Sequence, residues 1–461
     1  MVSIGFVYFC SVIKNNYELQ NDGTMKNILS KRTFIVLPLF LFSLHPLWGQ
    51  KSNFKNDICI PGKLYMLSDI RNDVFVEALI KRWRPYNDFV RFSGDCVYSR
   101  KLNRVASVDT PVDGSNMKIE LVNSDEFETI KEKAISICVG KKGIGTQEVT
   151  VQILGDSFVN GAFFRDALLS KNYIPGIKLV GLRNIKNEEG QYDEGRGGWT
   201  VKKYFEIPKG EMTSYHGYMQ PVGEYRYWGS CEFWKNCYKV INGELTDTEI
   251  VYNCGRYDQC ITKFDKETGY LAAPKKNDLM YDNARGSYMV YTGKKWKNVE
   301  VDERKWAFNY RKYLDMWNLD APKFFAQMLG LNDYRDSLTA DYREWNKKIA
   351  EMKESYYKAV PDGKFIILIP CTTCGSLNNV RGDFTLRQNA SMWQLRKNII
   401  DTFDGRESEG YYVVDIGITI DNEKGYNRNR DGIQTGNPHP YPNYPTMGIP
   451  LAAFIQYYRE L

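Results

Sequence analysis

Two different rhythms of apolar and polar positions divide the chain. Over residues 51–147 the apolar residues alternate or run for strand lengths, in Lys63-Leu-Tyr-Met-Leu67, Phe89-Val-Arg-Phe92, Met117-Lys-Ile-Glu-Leu-Val122 and Glu132 to Gly140. Gly, Asp, Asn and Pro punctuate these runs and no useful helical period appears, which predicts a β-sandwich-like module. From Glu148 onward the rhythm becomes strand followed by helix. Val149-Thr-Val-Gln-Ile-Leu154 reads as a buried strand, and Phe158, Ala162, Phe163, Ala167 and Leu168 keep helical spacing after it. Ile177–Leu182, Phe324–Leu329, Phe365–Ile369 and Tyr411–Ile416 supply four more apolar runs. Leu338, Tyr342, Trp345, Ile349 and Met352 form one stripe of a long amphipathic helix. Five such strands, each followed by a helix, predict an α/β fold with a parallel sheet covered on both faces.

Residues of about 205–305 interrupt this rhythm. They are rich in Tyr, Trp, Gly and Cys, show no clear sheet-and-helix order, and read as an insertion over the site-bearing face. Within it Tyr225, Tyr227, Trp228, Phe233 and Trp234 cluster. Flat aromatic faces suit sugar rings, and the same residues equally suit a small core of their own.

The first fifty residues have another character. From Met25, Lys26, Lys31 and Arg32 precede the apolar run Phe34 to Phe42, and small Gly49 follows. A basic start and an apolar stretch too short to span a bilayer predict a leader over about 25–50 that directs export to the periplasm or the exterior. Residues 1–24 then form an upstream extension, and no stable membrane insertion is expected once the leader is removed. The ten cysteines agree with an oxidising compartment. Cys231, Cys237, Cys254 and Cys260 have the wrong gaps for a zinc knuckle and are expected to form two disulfides. Cys371 and Cys374 are expected as a structural disulfide or as buried thiols. The net charge of +6 is spread along the chain with no Lys/Arg block, so a nucleic-acid partner is not expected.

Composition, with 43% hydrophobic residues, says no more than that a core can form, so the chemistry must be sought in single residues. Gly155-Asp156-Ser157 falls between the first strand of the second rhythm and its helix. Ligands of open α/β sheets bind beyond the carboxyl ends of the strands, and a serine there can present its Oγ, although the position also suits a helix N-cap. A serine nucleophile needs a base, most often histidine. Of three histidines, His45 lies in the leader and His216 in the insertion, whereas His439 lies in Asn437-Pro-His-Pro-Tyr441 before the last helix. So few histidines argue against a catalytic metal site built on them, and no metal is expected.

These residues recur in an order that resembles the SGNH (GDSL-type) hydrolases, a family named for Ser, Gly, Asn and His in four separated blocks. Gly155-Asp156-Ser157-Phe158 resembles the first block, Glu194-Gly-Arg-Gly-Gly198-Trp199-Thr200 the second, Gly330-Leu-Asn332-Asp333 the third and His439-Pro440 the fourth. The resemblance runs over 148–461 and implies a three-layer αβα sandwich with a five-stranded parallel flavodoxin-like sheet. The insertion then belongs to this domain and 51–147 is an accessory one. It implies an exported ester hydrolase that works through an acyl-enzyme, needs no cofactor, and takes a small-molecule or polysaccharide ester. Exported members with an accessory β-module suggest a carbohydrate O-acetyl esterase; a lipid or small-ester hydrolase, or a glycan-binding protein on a weakened site, are the other readings. Ser157 would be the nucleophile and His439 the base. Ser157, Gly198 and Asn332 would form the oxyanion hole. The family sets its orienting Asp three residues before the His, where this chain has Gly436. Asp431 is the candidate for that role, against a Ser–His dyad steadied by a backbone carbonyl. Asp156 and Asp333 are expected to brace the active-site loops by accepting hydrogen bonds.

Overall fold

Extended segments rich in β-branched residues open the described part of the chain. The structure is a computed structural model that describes residues 56–81, 88–100, 104–123, 127–161, 165, 168–169, 172–184, 190–210, 214–255, 257, 260–371, 386–422, 425–426, 439–440 and 444–459. The predicted leader, Cys374 and Asp431 lie outside these residues. Among the described residues no helix is long and apolar enough to cross a membrane.

Seven strands come first: β1 (Lys63–Leu67), β2 (Asn72–Phe75), β3 (Asp88–Gly94), β4 (Val97–Arg100), β5 (Val105–Val108), β6 (Asn116–Asn123) and β7 (Thr129–Gly140). They make two sheets, ordered β1-β7-β6-β3 and β2-β5-β4. Alternation on β6 buries Met117, Ile119 and Leu121 in a core shared by both sheets. Ile418, from far along the chain, joins that core.

The chain then enters β8 (Val149–Gly155), which only Thr150 leaves incompletely buried, and turns at once into the one-turn helix α1 (Ser157–Asn160). β9 (Ile177–Leu179) and β10 (Glu194–Gly195) both pair with β8, along Val149–Val151 and Leu154–Gly155 respectively. The run 177–182 therefore stops pairing early, and a second short segment completes that edge. Between the two, Arg183 and Asp193 exchange backbone hydrogen bonds of 3.1 and 2.9 Å, which draws the chain away and brings it back.

The stretch after β10 has more regular structure than its sequence suggested. It forms β11 (Met219–Pro221), β12 (Arg226–Ser230), helix α2 (Cys231–Ile241), helix α3 (Thr248–Cys254), β13 (Asp278–Asp282), β14 (Ser287–Tyr291), β15 (Trp296–Val299) and β16 (Trp306–Phe308). β12 to β15 form a four-stranded sheet and β11 pairs with β16. Segments of three to five residues are too short to carry a visible period. Tyr227, Trp228, Phe233 and Trp234 are buried here, and Trp234 stacks on Phe264 at 3.9 Å. These four aromatics are core, the second of the two readings their sequence left open. Cys231, Cys237 and Cys254 are free thiols rather than members of the two expected bridges, and Cys260 is buried near Cys237.

Helix α4 (Tyr310–Trp317) leads to β17 (Phe324–Met328), the one-turn helix α5 (Leu331–Tyr334), helix α6 (Arg343–Ala359), β18 (Lys364–Ile369), helix α7 (Leu386–Phe403), β19 (Tyr411–Asp415) and helix α8 (Tyr444–Arg459). β17, β18 and β19 extend the sheet from β8, and every pairing in it is parallel. The chain is thus a mixed α/β protein with several sheets, one of them parallel and built from six strand segments where five strands were expected.

α8 packs on β1 and β7. At their closest approach Gly140 has no room for a side chain, because a Cβ there would overlap the Ala453 carbonyl. Gly140→Ala must push strand and helix apart and is expected to cost about 1–3 kcal/mol. Denaturant unfolding measures it; a loss below about 0.5 kcal/mol would mean that this contact is loose.

Candidate active site

β8 delivers Ser157 to the end of the sheet because the chain cannot continue straight. Gly155 allows the turn: a Cβ there would lie 2.6 Å from Val159 Cγ2 and 2.8 Å from the Met328 carbonyl oxygen. Asp156 then caps α1, its carboxylate accepting the Phe158 N–H at 3.1 Å. Ser157 is half-buried and is the first residue of that turn.

His439 arrives from the other end of the chain. Its Nε2 lies 2.9 Å from Ser157 Oγ, and its ring packs on Phe158 with centroids 4.9 Å apart. Burial lowers the imidazole from 6.5 to about 4, so the ring is neutral at pH 7. A neutral ring with its proton on Nδ1 presents an Nε2 lone pair to the serine hydroxyl.

Gly198 lies in the loop after β10, and Asn332 in the one-turn helix after β17. Gly198 has φ +71°, is exposed and has open space around it; glycine takes this left-handed turn without strain. Asn332, on α5, donates from Nδ2 to Asp156 Oδ2 at 3.3 Å and to the Trp199 carbonyl at 3.2 Å. It ties the serine loop to the glycine loop, with its amide engaged by both. Asp333 accepts the Val201 N–H at 3.1 and 3.2 Å. Both acids thus brace loops. Burial pushes Asp156 up to about 7 and Asp333 up to about 6.

The second histidine is occupied elsewhere. His216 is buried, accepts the Tyr218 N–H on Nδ1 at 3.3 Å, and lies 3.0 Å through Nε2 from the Glu206 carbonyl. Since Nδ1 accepts, Nε2 carries the proton and donates. Burial, with Arg196 adding to it, lowers this ring to about 3.

Sequence reading missed the polar cluster beneath the Gly198 loop. Asp193 accepts from Arg165 at 2.9 Å, and Glu194 from Arg196 at 2.7 Å, Tyr313 at 2.6 Å and the Leu182 N–H at 2.7 Å, all essentially without solvent. The Tyr204 hydroxyl lies 2.7 Å from the Gly155 carbonyl and 2.6 Å from that of Glu194, spanning the ends of β8 and β10. The signal available was the charged run Asp193-Glu-Gly-Arg196, a pattern that usually marks a solvated loop.

The two imidazoles should titrate far below an exposed histidine, His439 with a midpoint of about 4 and His216 of about 3. Imidazole NMR resolves them singly. A stability curve would not, because buried neutral histidines lose stability as pH falls through 6.5 whereas raised Asp156 and Asp333 gain it below about 7 and 6. A His439 midpoint near 6.5 would show a solvated ring or a carboxylate beside it.

No family model and no curated protein matches the chain. Among solved structures it aligns with a family 3 carbohydrate esterase from Talaromyces cellulolyticus, at 12% identity and TM-score 0.30 over 68% of this chain and 99% of that one. A family two carbohydrate esterase from Cellvibrio japonicus aligns at 9% identity and TM-score 0.25, over 88% and 96%. A peptidoglycan O-acetylesterase aligns at 11% identity and TM-score 0.31, over 68% and 93%. Superpositions this loose leave the chemistry to be read from the site's own atoms.

Proposed function

We propose that the chain is an exported serine ester hydrolase of the SGNH type, on a flavodoxin-like sheet, that cleaves O-acetyl esters of carbohydrates through an acyl-enzyme. The observation that carries the reading is the 2.9 Å approach of a neutral His439 Nε2 to Ser157 Oγ. Ser157 Oγ attacks the ester carbonyl carbon while His439 takes its proton. When the tetrahedral intermediate collapses, the C–O bond to the alcohol breaks and His439 returns the proton to the leaving oxygen. Water, deprotonated by the same imidazole, then frees the acid and restores Ser157.

The oxyanion is assigned to the backbone N–H of Ser157 and Gly198 and to the Asn332 amide. Asn332 already touches Asp156 and Trp199, so its contribution requires one N–H to turn from those acceptors as charge develops. Asp431 is assigned to Nδ1 of His439, where a carboxylate fixes the tautomer the mechanism needs. The predicted leader and the β-rich N-terminal part are what support a carbohydrate ester as the substrate, since exported proteins of this resemblance with an accessory β-module suggest O-acetyl esterases.

Hydrolysis of a short-chain aryl acetate tests the reading. Wild type should turn over, Ser157→Ala should be inert, and a fluorophosphonate should label Ser157. Asn332→Ala should lose on the order of a hundredfold to a thousandfold in kcat, and Asp431→Asn up to about ten-thousandfold. Equal turnover by wild type and Ser157→Ala would refute the serine mechanism. A wild type with neither turnover nor label, yet retaining a glycan, would identify a binding protein.

A further inference from the structure

α1 is a single turn, and two backbone bonds of its own, Asn160 N–H to Asp156 at 3.0 Å and Gly161 N–H to Ser157 at 2.9 Å, do little to fix its direction. Its far end is gripped from outside. On one side β10 presses on it, since a Cβ on Gly195 would overlap the Asn160 amide nitrogen. On the other, Arg183 Nη2 donates to Asn160 Oδ1 at 3.1 Å, with both residues buried.

Arg183 is itself held on several sides. Its backbone exchanges both hydrogen bonds with Asp193, next to β10. Its Nη1 donates to Ser214 Oγ at 3.1 Å and to the Asn253 carbonyl at 3.3 Å, and its guanidinium lies 5.7 Å from the centre of the Tyr257 ring. Gly255 leaves it space, for a Cβ there would come within 2.7 Å of Nη2. One planar group thus touches the nucleophile turn and the segments carrying Ser214 and Asn253, while its main chain is tied to the strand before the Gly198 loop.

We propose that Arg183 is a positioning residue: through Asn160 it fixes the rotation of the turn that carries Ser157, and so the approach of Oγ to His439. The proposal rests on the esterase reading. A fixed guanidinium suits the task because its fork holds a preset geometry, and a displacement of about 1 Å at a reacting atom costs up to about a hundredfold in rate.

Aryl acetate kinetics on Asn160 variants of the full chain test it. Asn160→Leu removes the acceptor at similar volume and should lower kcat about tenfold to a hundredfold with KM little changed. Asn160→Asp keeps the acceptor and should recover most of that loss. Arg183→Met added to Asn160→Leu should lower kcat no further than the worse single change, because both remove one interaction; if Arg183→Met does not fold, the two Asn160 variants still decide. An Asn160→Leu enzyme with wild-type kcat, beside an inert Ser157→Ala, would overturn the positioning role alone. A wild type that neither turns over nor takes the fluorophosphonate would overturn the esterase reading and this role with it.

Discussion

Three buried guanidiniums gather around the start of β10, and much of the site depends on keeping Asp193 and Glu194 against two of them. Arg165, Arg183 and Arg196 are each no more than 2% exposed. Arg165 pairs with Asp193 and Arg196 with Glu194, while Arg196 also lies 5.1 Å from the ring centre of Trp199 and 5.6 Å from that of Tyr204. Removing one partner of such a pair leaves a bare charge and costs about 3–5 kcal/mol. The consequence is geometric as well as energetic. Asp193 precedes β10 and Glu194 is its first residue, so the cluster sets where the Gly198 loop begins, and the Tyr204 hydroxyl joins the last residue of β8 to the first of β10.

The same logic extends along β8. Gln152 is buried at the middle of a strand that is otherwise nearly all apolar. An orphaned amide there would cost about 1–3 kcal/mol, and three tyrosines answer it: Tyr218 at 3.2 Å, Tyr310 at 2.7 Å and Tyr313 at 3.1 Å. Tyr313 passes the connection on to Glu194. The aromatic segment after β10 and helix α4 are therefore wired to the sheet by satisfied polar groups as well as packed on it. Buried networks of this kind hold one arrangement strictly, because partial satisfaction is worse than none.

These dependences explain what the sequence could and could not disclose. Long apolar runs such as Val149–Leu154 and Phe365–Ile369 are buried on both faces and announce themselves as strands. Ser157 and His439 were picked out because a nucleophile at a strand end would require a base and histidines are scarce, and the structure sets the two side chains 2.9 Å apart. β10 was not legible, since two residues carry no period and their neighbours are charged. Tyr227, Trp228, Phe233 and Trp234 were open to two readings because composition cannot tell a ring that faces solvent from one that stacks on Phe264. Arg183 was invisible for a related reason: a lone arginine after a strand reads as surface until its partners, Asn160, Ser214 and Asn253, are seen to come from three distant parts of the chain.

Burial also shapes the charge state around Ser157, and it acts on acid and base alike. It lowers His439 to about 4 and raises Asp156 to about 7, so a site with two titratable neighbours is biased toward neutrality near pH 7. A neutral imidazole is the form that can accept the serine proton. In the proposed acyl transfer, a full negative charge on Asp156 would be welcome to an imidazolium at His439 and unwelcome to an oxyanion at Ser157. The Phe158 N–H and the Asn332 amide lie on that carboxylate, spreading its charge into the two loops it braces. In the proposed reaction Asn332 would face the partly ionised Asp156 on one side and the developing oxyanion on the other. An amide, with two N–H donors, suits that position, where a hydroxyl could serve only one acceptor and a cation would quench the base.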